Sequence, residues 1–316
     1  MVYKENKKLS VVSVNTSTKK GVVKSPVEFI DLYSSGVRGD AHASTAGIRQ
    51  VSMLAKESID RFSKESAKQF RYGDFAENIT TEGFELYMTH PLDRFICGDV
   101  VLEVTQIGKK CHGGFCAIFR EVGNCVMPKE GIFARVLNPG IIKPGDALVY
   151  QQKVYFTMVI TLSDRASQGI YEDKSGPAIE QKLEQYFKQN YMKYCIKSSI
   201  IADNPYQLKE LLLLAKQENV DFIFTTGGTG IGPRDITPEV IKPLLDKEIP
   251  GIMDNIRFKY GQDKPNALIS RSIAGVMGNS LVFALPGSVR AVNEYITEIE
   301  GSLKHMAYML HGLDTH

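Results

Sequence analysis

The chain has 316 residues, 43% of them hydrophobic, and a formal net charge of +2; it is long for one domain and comfortable for two. Lys and Arg nearly balance Asp and Glu in both halves, which removes the basic face expected of a nucleic-acid binder, and no stretch approaches the roughly 20 apolar residues of a membrane span. The N-terminus "MVYKENKKLSVVSV" has no signal-peptide core, and five cysteines, an odd number, fit a reducing cytoplasm better than a disulfide framework.

Strand-like pieces come first: "LSVVSVNTS", "GIRQVSMLA", "DVVLEVTQIG" and "DALVY", with a helix suggested at "AKESIDRFSKESAKQF". They predict a mostly-β, barrel-like domain. Cys97, Cys111, Cys116 and Cys125 cluster here at spacings that match none of the usual paired zinc patterns. A metal site and a set of small buried hydrophobes are both open readings, the second favoured for Cys97 and Cys125. Cys111 differs: Lys109, Lys110 and His112 flank it, and cationic company favours the nucleophilic thiolate. A Lys143-Pro144-Gly145-Asp146 turn and the strand "ALVY" close the region, and the polar link "QQK" places the domain cut near Gln152, giving domains 1–152 and 153–316.

Beyond the cut, strands and helices alternate. "FTMVITL", "YCIKSSIIA", "DFIFTT" and "SLVFALPG" are each followed by a helical pattern, and Leu208, Leu211, Leu212 and Ala215 line one face of the second helix. This predicts an α/β domain with a mainly parallel sheet, whose ligands bind beyond the C-terminal strand ends. The loops at those ends hold Ser163, Asp164 and Arg165; Asp203; the stretch "IFTTGGTGIGPRDITPE" over residues 223–239; and Pro286, Gly287 and Ser288, with Ser270, Arg271 and Ser272 just before the last strand.

In the glycine stretch, Gly227, Gly228, Thr229 and Gly230 let backbone N–H groups approach an anion, and Thr237 with Pro238 reads as the cap and first turn of a helix. It is not a Walker A loop, since Pro233-Arg234-Asp235 stands where Gly-Lys-Ser/Thr belongs, and its glycine spacing does not fit the dinucleotide fingerprint. An aspartate beside an anion makes sense with a cation between them, so Asp235, joined by Asp203, is a candidate Mg²⁺ ligand. Capping is the competing reading for both aspartates.

Taken together, "LSDRAS", "FTTGGTGIGPRDITPE" and "SRSIAGVMGNSLVFALPGS" resemble the molybdopterin adenylyltransferase family, also found as the G domain of gephyrin-like proteins. The resemblance covers about residues 155–310. It implies a usually trimeric molybdopterin-binding α/β fold that joins the terminal phosphate of molybdopterin to AMP from Mg-ATP and releases pyrophosphate. The family's catalytic aspartates fall on Asp203 and Asp235. Gly227, Gly228, Thr229 and Gly230 would approach phosphate, Ser163, Asp164 and Arg165 would line the nucleotide side, and Ser270, Arg271, Ser272, Pro286, Gly287 and Ser288 the pterin side. "PGSVRAV" departs from the family's usual Pro-Gly-Asn/Gln-Pro turn.

The elements "GVRGDAHAS", "GDFAENITTEG", "GKKCH" and "GIFARVLNPGIIKPGD" resemble the MOSC domain. That resemblance implies a β-barrel-like domain that binds molybdenum cofactor, with Cys111 as the candidate sulfur carrier and Asp40, His42, Asn78 and Arg135 as candidate contacts. His42 reads equally well as a structural hydrogen-bonding residue. Together the two resemblances predict a cytoplasmic molybdenum cofactor protein with ATP and molybdopterin as substrates, a downstream molybdenum-insertion partner and neither nucleic-acid nor membrane partners. A carrier that binds the pterin without chemistry is the alternative.

Overall fold

The computed structural model describes residues 7–43, 47–109 and 124–313, and the chain divides into two compact units between Lys153 and Val154. Among the described residues no helix is long and apolar enough to cross a membrane.

The first unit is built from β1 (Lys8–Thr16), β2 (Ser25–Val27), β3 (Ile30–Tyr33), β4 (Gly36–Val37), β5 (Val51–Ala55), β6 (Ile79–Glu82), β7 (Arg94–Cys97), β8 (Val100–Ile107), β9 (Ile132–Asn138), β10 (Gly140–Ile142) and β11 (Ala147–Gln151). The order β11-β7-β8-β9-β5-β6-β1 returns to its start, because β1 pairs with both β6 and β11. Seven strands thus close a barrel, and closure leaves no free edge. β5 and β6 form its parallel pair, with the helix Lys56–Ser66 in the crossover between them. Register shifts between Val11 and Ser13 on β1 and between Val104 and Gln106 on β8 supply the local bends that closure needs. Inward residues such as Leu9, Val11, Met53, Phe95, Leu102, Val104 and Ile132 make the core, each stabilising the fold by roughly 1.5–3 kcal/mol through burial.

The second unit carries β12 (Val154–Leu162), β13 (Lys193–Ile201), β14 (Phe222–Thr226), β15 (Lys247–Glu248), β16 (Ile273–Met277) and β17 (Ser280–Leu285), in the order β13-β12-β14-β17-β16-β15. The first four run parallel, β16 runs antiparallel to β17, and β15 pairs antiparallel with β16, so that β16 alone is reversed in this sheet. Every residue of β14 and β17 is buried, the mark of strands covered on both faces. On one face Leu208, Leu212 and Ala215 of the helix Pro205–Gln217 pack on Met158, Ile160, Ile223 and Val282. Elsewhere Phe187 of the helix Ser175–Gln189 stacks with Tyr155 and Tyr194, and Tyr155 stacks in turn on Phe222.

Three details differ from the sequence expectation. The hairpin β16–β17, edge strand β15 and helix Pro250–Gly261 break the simple strand–helix alternation. Asn204, not Asp203, caps its helix, accepting from the N–H groups of Tyr206 and Gln207. Thr237 is the first residue of its helix rather than the cap. It is fully buried, and its hydroxyl donates to the Gly227 carbonyl at 2.8 Å, a backbone oxygen that leaves the strand with a need for a donor.

Candidate functional site

Strand register builds the site. Leu162 is level with Ile201, Thr161 with Thr226, and Thr226 with Leu285. Ser163, Ala202, Gly227 and Pro286 therefore leave the sheet along one C-terminal edge, where open α/β sheets bind ligands. The glycines there are required by space. Gly227 has φ +99° and a Cβ would lie 2.3 Å from the Leu162 carbonyl oxygen, while Gly228 has φ +65° and would press on the Thr237 hydroxyl at 2.5 Å. Across the edge a Cβ on Gly287 would lie 3.3 Å from the Gly227 Cα. The Pro286-Gly287-Ser288 turn thus lies directly against the glycine loop, tied by Thr226 Oγ1 donating to the Pro286 carbonyl.

The carboxylates are brought together in a way that sequence spacing did not reveal. Asp164 and Asp203 exchange hydrogen bonds: the Asp203 N–H donates to Asp164 Oδ1 at 3.0 Å, and the Asp164 N–H donates to Asp203 Oδ2 at 3.3 Å. Burial raises the Asp203 carboxyl above its ordinary range, and the negative charge of Asp235 raises it further. Asp235 lies in the glycine loop, where its Oδ2 accepts from the Gly232 N–H at 2.7 Å. Arg234 forms an ion pair with Asp164. Among the described residues no group of three or more His, Cys, Asp or Glu side chains is set to hold a metal ion. What the site does show is a pair of mutually repelling carboxylates, Asp203 and Asp235.

The remaining predicted residues take distinct places. Ser163 caps the short helix Asp164–Ser167 through the Ala166 N–H, and Arg165 lies over the Tyr171 ring. Ser288 caps the 22-residue helix Val289–Leu310 through the Ala291 N–H. Tyr295 Oη, Ser270 Oγ and Ser272 Oγ form a hydroxyl chain at 3.1 and 2.9 Å. Thr229, Gly230 and Arg271 meet: the Arg271 N–H donates to the Thr229 carbonyl, its Nε to the Gly230 carbonyl and its Nη2 to the Asp235 carbonyl. Arg257 donates to the Ser270 and Ser272 carbonyls. It was not anticipated because its helix was not.

In the barrel, Asp40 and Asn78 are engaged by the unit's own hydrogen bonds. Asp40 is sealed inside, 1% exposed, where it accepts from Lys24 Nζ at 2.6 Å, Asn78 Nδ2 at 3.0 Å and the His42 N–H at 3.0 Å. Burial works against its charge, but the hydrogen bonds of His42 and Lys24 and the Lys24 ammonium hold the carboxyl well below the usual range. Asn78 is equally committed, bonding Ser52, the Asn15 carbonyl and Asp40. Among the described residues their polarity ties strands and loops of the barrel to one another. His42 is reachable, with its side chain 41% exposed, and Arg135 is half-buried in an ion pair with Glu103. Cys111, with Cys116, lies outside the described residues. Cys125 is buried, and burial followed by the Asp146 charge pushes up the Cys97 thiol.

Residues 158–305 match the family described as "Probable molybdopterin binding domain", and residues 40–149 match the MOSC domain. The chain is 34% identical over 155 residues to the molybdopterin adenylyltransferase of Helicobacter pylori, covering 49% of this chain and 86% of that protein. It is 37% identical over 153 residues to the molybdopterin adenylyltransferase of Pyrococcus furiosus, with 47% and 86% covered. Against the gephyrin of Dictyostelium discoideum the identity is 35% over 161 residues, covering 49% of this chain but 22% of that protein. Among solved structures, the molybdopterin biosynthesis Mog protein of Mycobacterium ulcerans is 33% identical with a TM-score of 0.47, covering 51% of this chain and 99% of that one. By its C-terminal half the chain belongs to the molybdopterin adenylyltransferase family, and it joins that domain to an N-terminal MOSC domain.

Proposed function

We propose that the protein acts in molybdenum cofactor biosynthesis and that its C-terminal unit transfers AMP from Mg-ATP to the terminal phosphate of molybdopterin, releasing pyrophosphate. The observation that carries this reading is the convergence of Asp203 and Asp235 at the edge held by the glycine loop, with the Asp203 carboxyl raised by burial and by its neighbour's charge. Two like charges kept together call for a cation. Asp203 and Asp235 would hold Mg²⁺, which when bound offsets the charge gathering on the α-phosphoryl group.

The chain's own part is placement. The glycine loop presents backbone N–H groups to phosphate without side-chain obstruction. Ser163, Asp164 and Arg165 stand on the nucleotide side, and Ser270, Ser272 and Ser288 on the pterin side, with the hydroxyl chain from Tyr295 fixing the first two. Holding the attacking phosphate oxygen in line with the α-phosphorus supplies most of the available acceleration in such transfers. The N-terminal unit is proposed to bind the same cofactor through His42 and Arg135, with Cys111 carrying sulfur. A homotrimer and a downstream molybdenum-insertion protein complete the proposal.

The test is a single-turnover assay with molybdopterin and Mg-ATP, comparing the wild type with Asp203→Ala and Asp235→Asn. Adenylyl-molybdopterin from the wild type, with a drop of about 10²-fold or more in either variant, is the expected result. Pterin binding without adenylylated product in the wild type would leave a carrier.

A further inference from the structure

Arg271 was expected to face the pterin phosphate, and its surroundings assign it other work. Its guanidinium meets protein oxygens on three sides: Nε donates to the Gly230 carbonyl at 2.6 Å, Nη2 donates to the Asp235 carbonyl at 2.7 Å, and Nη1 pairs with Glu239. Its own N–H donates to the Thr229 carbonyl at 2.9 Å. One residue therefore clasps both ends of the Gly230-to-Asp235 loop and the first turn of the helix that follows. Between those ends Ile231, Gly232, Pro233 and Arg234 are exposed, and the loop is tied internally by the Gly232 N–H donating to Asp235 Oδ2 at 2.7 Å and the Asp235 N–H donating to the Gly232 carbonyl at 3.0 Å.

Because a trans peptide directs its C=O and N–H to opposite sides, fixing three carbonyls fixes three donors. With the Thr229, Gly230 and Asp235 carbonyls turned to Arg271, the N–H groups of Gly230, Ile231 and Ile236 face away from it. We infer that Arg271 is a positioning residue: it presets these donors as an anion cradle and holds the Asp235 backbone so that its carboxylate stays beside Asp203. This rests on the adenylyl-transfer reading for its consequence but not for its geometry. A planar fork holds two carbonyls from separate nitrogens in a fixed geometry, which the single ammonium nitrogen of a lysine does not reproduce. Arg257, by holding the Ser270 and Ser272 carbonyls at 3.2 and 3.1 Å, anchors the segment from which the fork reaches.

The experiment reads amide hydrogen exchange over residues 229–239, together with the Mg²⁺ concentration for half-maximal turnover, in wild type, Arg271→Ala, Arg271→Lys and Glu239→Gln. Exchange in this loop is expected to rise about tenfold or more in both Arg271 variants, with the rest of the unit unchanged. The Mg²⁺ midpoint should rise several-fold, and Glu239→Gln, which keeps both carbonyl bonds, should stay near wild type in loop exchange. A raised KM for molybdopterin with unchanged loop exchange and unchanged Mg²⁺ midpoint would make Arg271 a direct phosphate contact and overturn the inference. So would full restoration by lysine. Should Arg271→Ala not fold, Arg271→Lys carries the comparison. Should the wild type form no adenylylated product, the proposed function fails alone, and loop exchange still decides the role of Arg271.

Discussion

The two units each gather charged and polar groups, to opposite effect. In the barrel, Lys24, Asp40 and Asn78 are almost wholly buried and satisfy one another. At the α/β edge, Asp164, Asp203 and Asp235 are partly exposed, and Asp203 carries a carboxyl raised by a like charge. A buried network with its charges paired secures the fold; carboxylates held together at a partly exposed edge repel, and that repulsion is what the proposed Mg²⁺ would relieve. Motif resemblance marked Asp40 and Asn78 as candidate contacts, whereas the glycine loop had already pointed to Asp235 and Asp203.

Removing one partner from each cluster should have opposite consequences. Asp40→Ala leaves the Lys24 ammonium buried without its counter-charge, and breaking such a pair costs about 3–5 kcal/mol. The variant should unfold at markedly lower denaturant, as read by circular dichroism in urea. Asp235→Asn relieves repulsion instead. Its unfolding midpoint should hold or rise, while adenylyl transfer falls by about 10²-fold or more. Equal stability losses in the two variants would erase the distinction drawn here.

Glu77 extends the comparison through pH. It is fully buried and accepts from the Gly73 N–H and Thr80 Oγ1 through Oε1, while Oε2 finds no partner among the described residues. Burial pushes its carboxyl from 4.5 up to about 7, helped by the nearby Asp74 charge and opposed by those hydrogen bonds. A carboxyl raised on folding stabilises the fold while protonated. Its contribution is full below about pH 4.5 and is lost as pH climbs toward 7, an effect on the order of 3 kcal/mol at about 1.4 kcal/mol per pH unit. Urea unfolding of Glu77→Gln should show a flatter pH dependence across that window than the wild type. Identical slopes would mean that the carboxyl titrates normally.

The fold was legible where patterns were long. Continuous apolar runs became β14 and β17, buried on every residue, and the Leu208, Leu212 and Ala215 face became a packed helix. The helix Pro250–Gly261 was not legible, because it buries just Met253, Ile256 and Gly261 and shows no strong stripe. At the site, the glycines announced a loop, but sequence spacing cannot say which way a carbonyl turns. The Arg271 fork, the Asp164–Asp203 exchange and the donation by Thr237 to Gly227 all join residues from different loops or across a turn. In the barrel the same limit ran the other way. Asp40 and Asn78 sit in polar motifs that look exposed in the sequence, and Lys24, which buries with Asp40, was not singled out at all.

Gly228→Ala tests the loop with a smaller effect. The residue has φ +65°, and a methyl group would press on the Thr237 hydroxyl at 2.5 Å. The left-handed conformation alone costs a non-glycine residue about 1–2 kcal/mol. Stability to heat should drop by an amount of that order, with adenylyl transfer falling further than stability accounts for if the same backbone forms the proposed phosphate cradle. An active, unshifted variant would mean that the loop tolerates a different path.

Ser288 carries the smallest expected effect and separates two roles of one hydroxyl. Its oxygen accepts from the Ala291 N–H at 3.2 Å and caps the helix Val289–Leu310, and in the proposed function its hydroxyl proton would serve a phosphate. Replacing a serine cap by alanine costs about 1 kcal/mol, and by glycine a few tenths. Ser288→Gly therefore keeps most of the cap but removes the donor. If the hydroxyl serves phosphate, Ser288→Gly and Ser288→Ala should raise the molybdopterin KM alike while differing in unfolding midpoint. If it serves the helix alone, Ser288→Gly should turn over like wild type, and the departure of "PGSVRAV" from the family's usual turn would be a matter of capping.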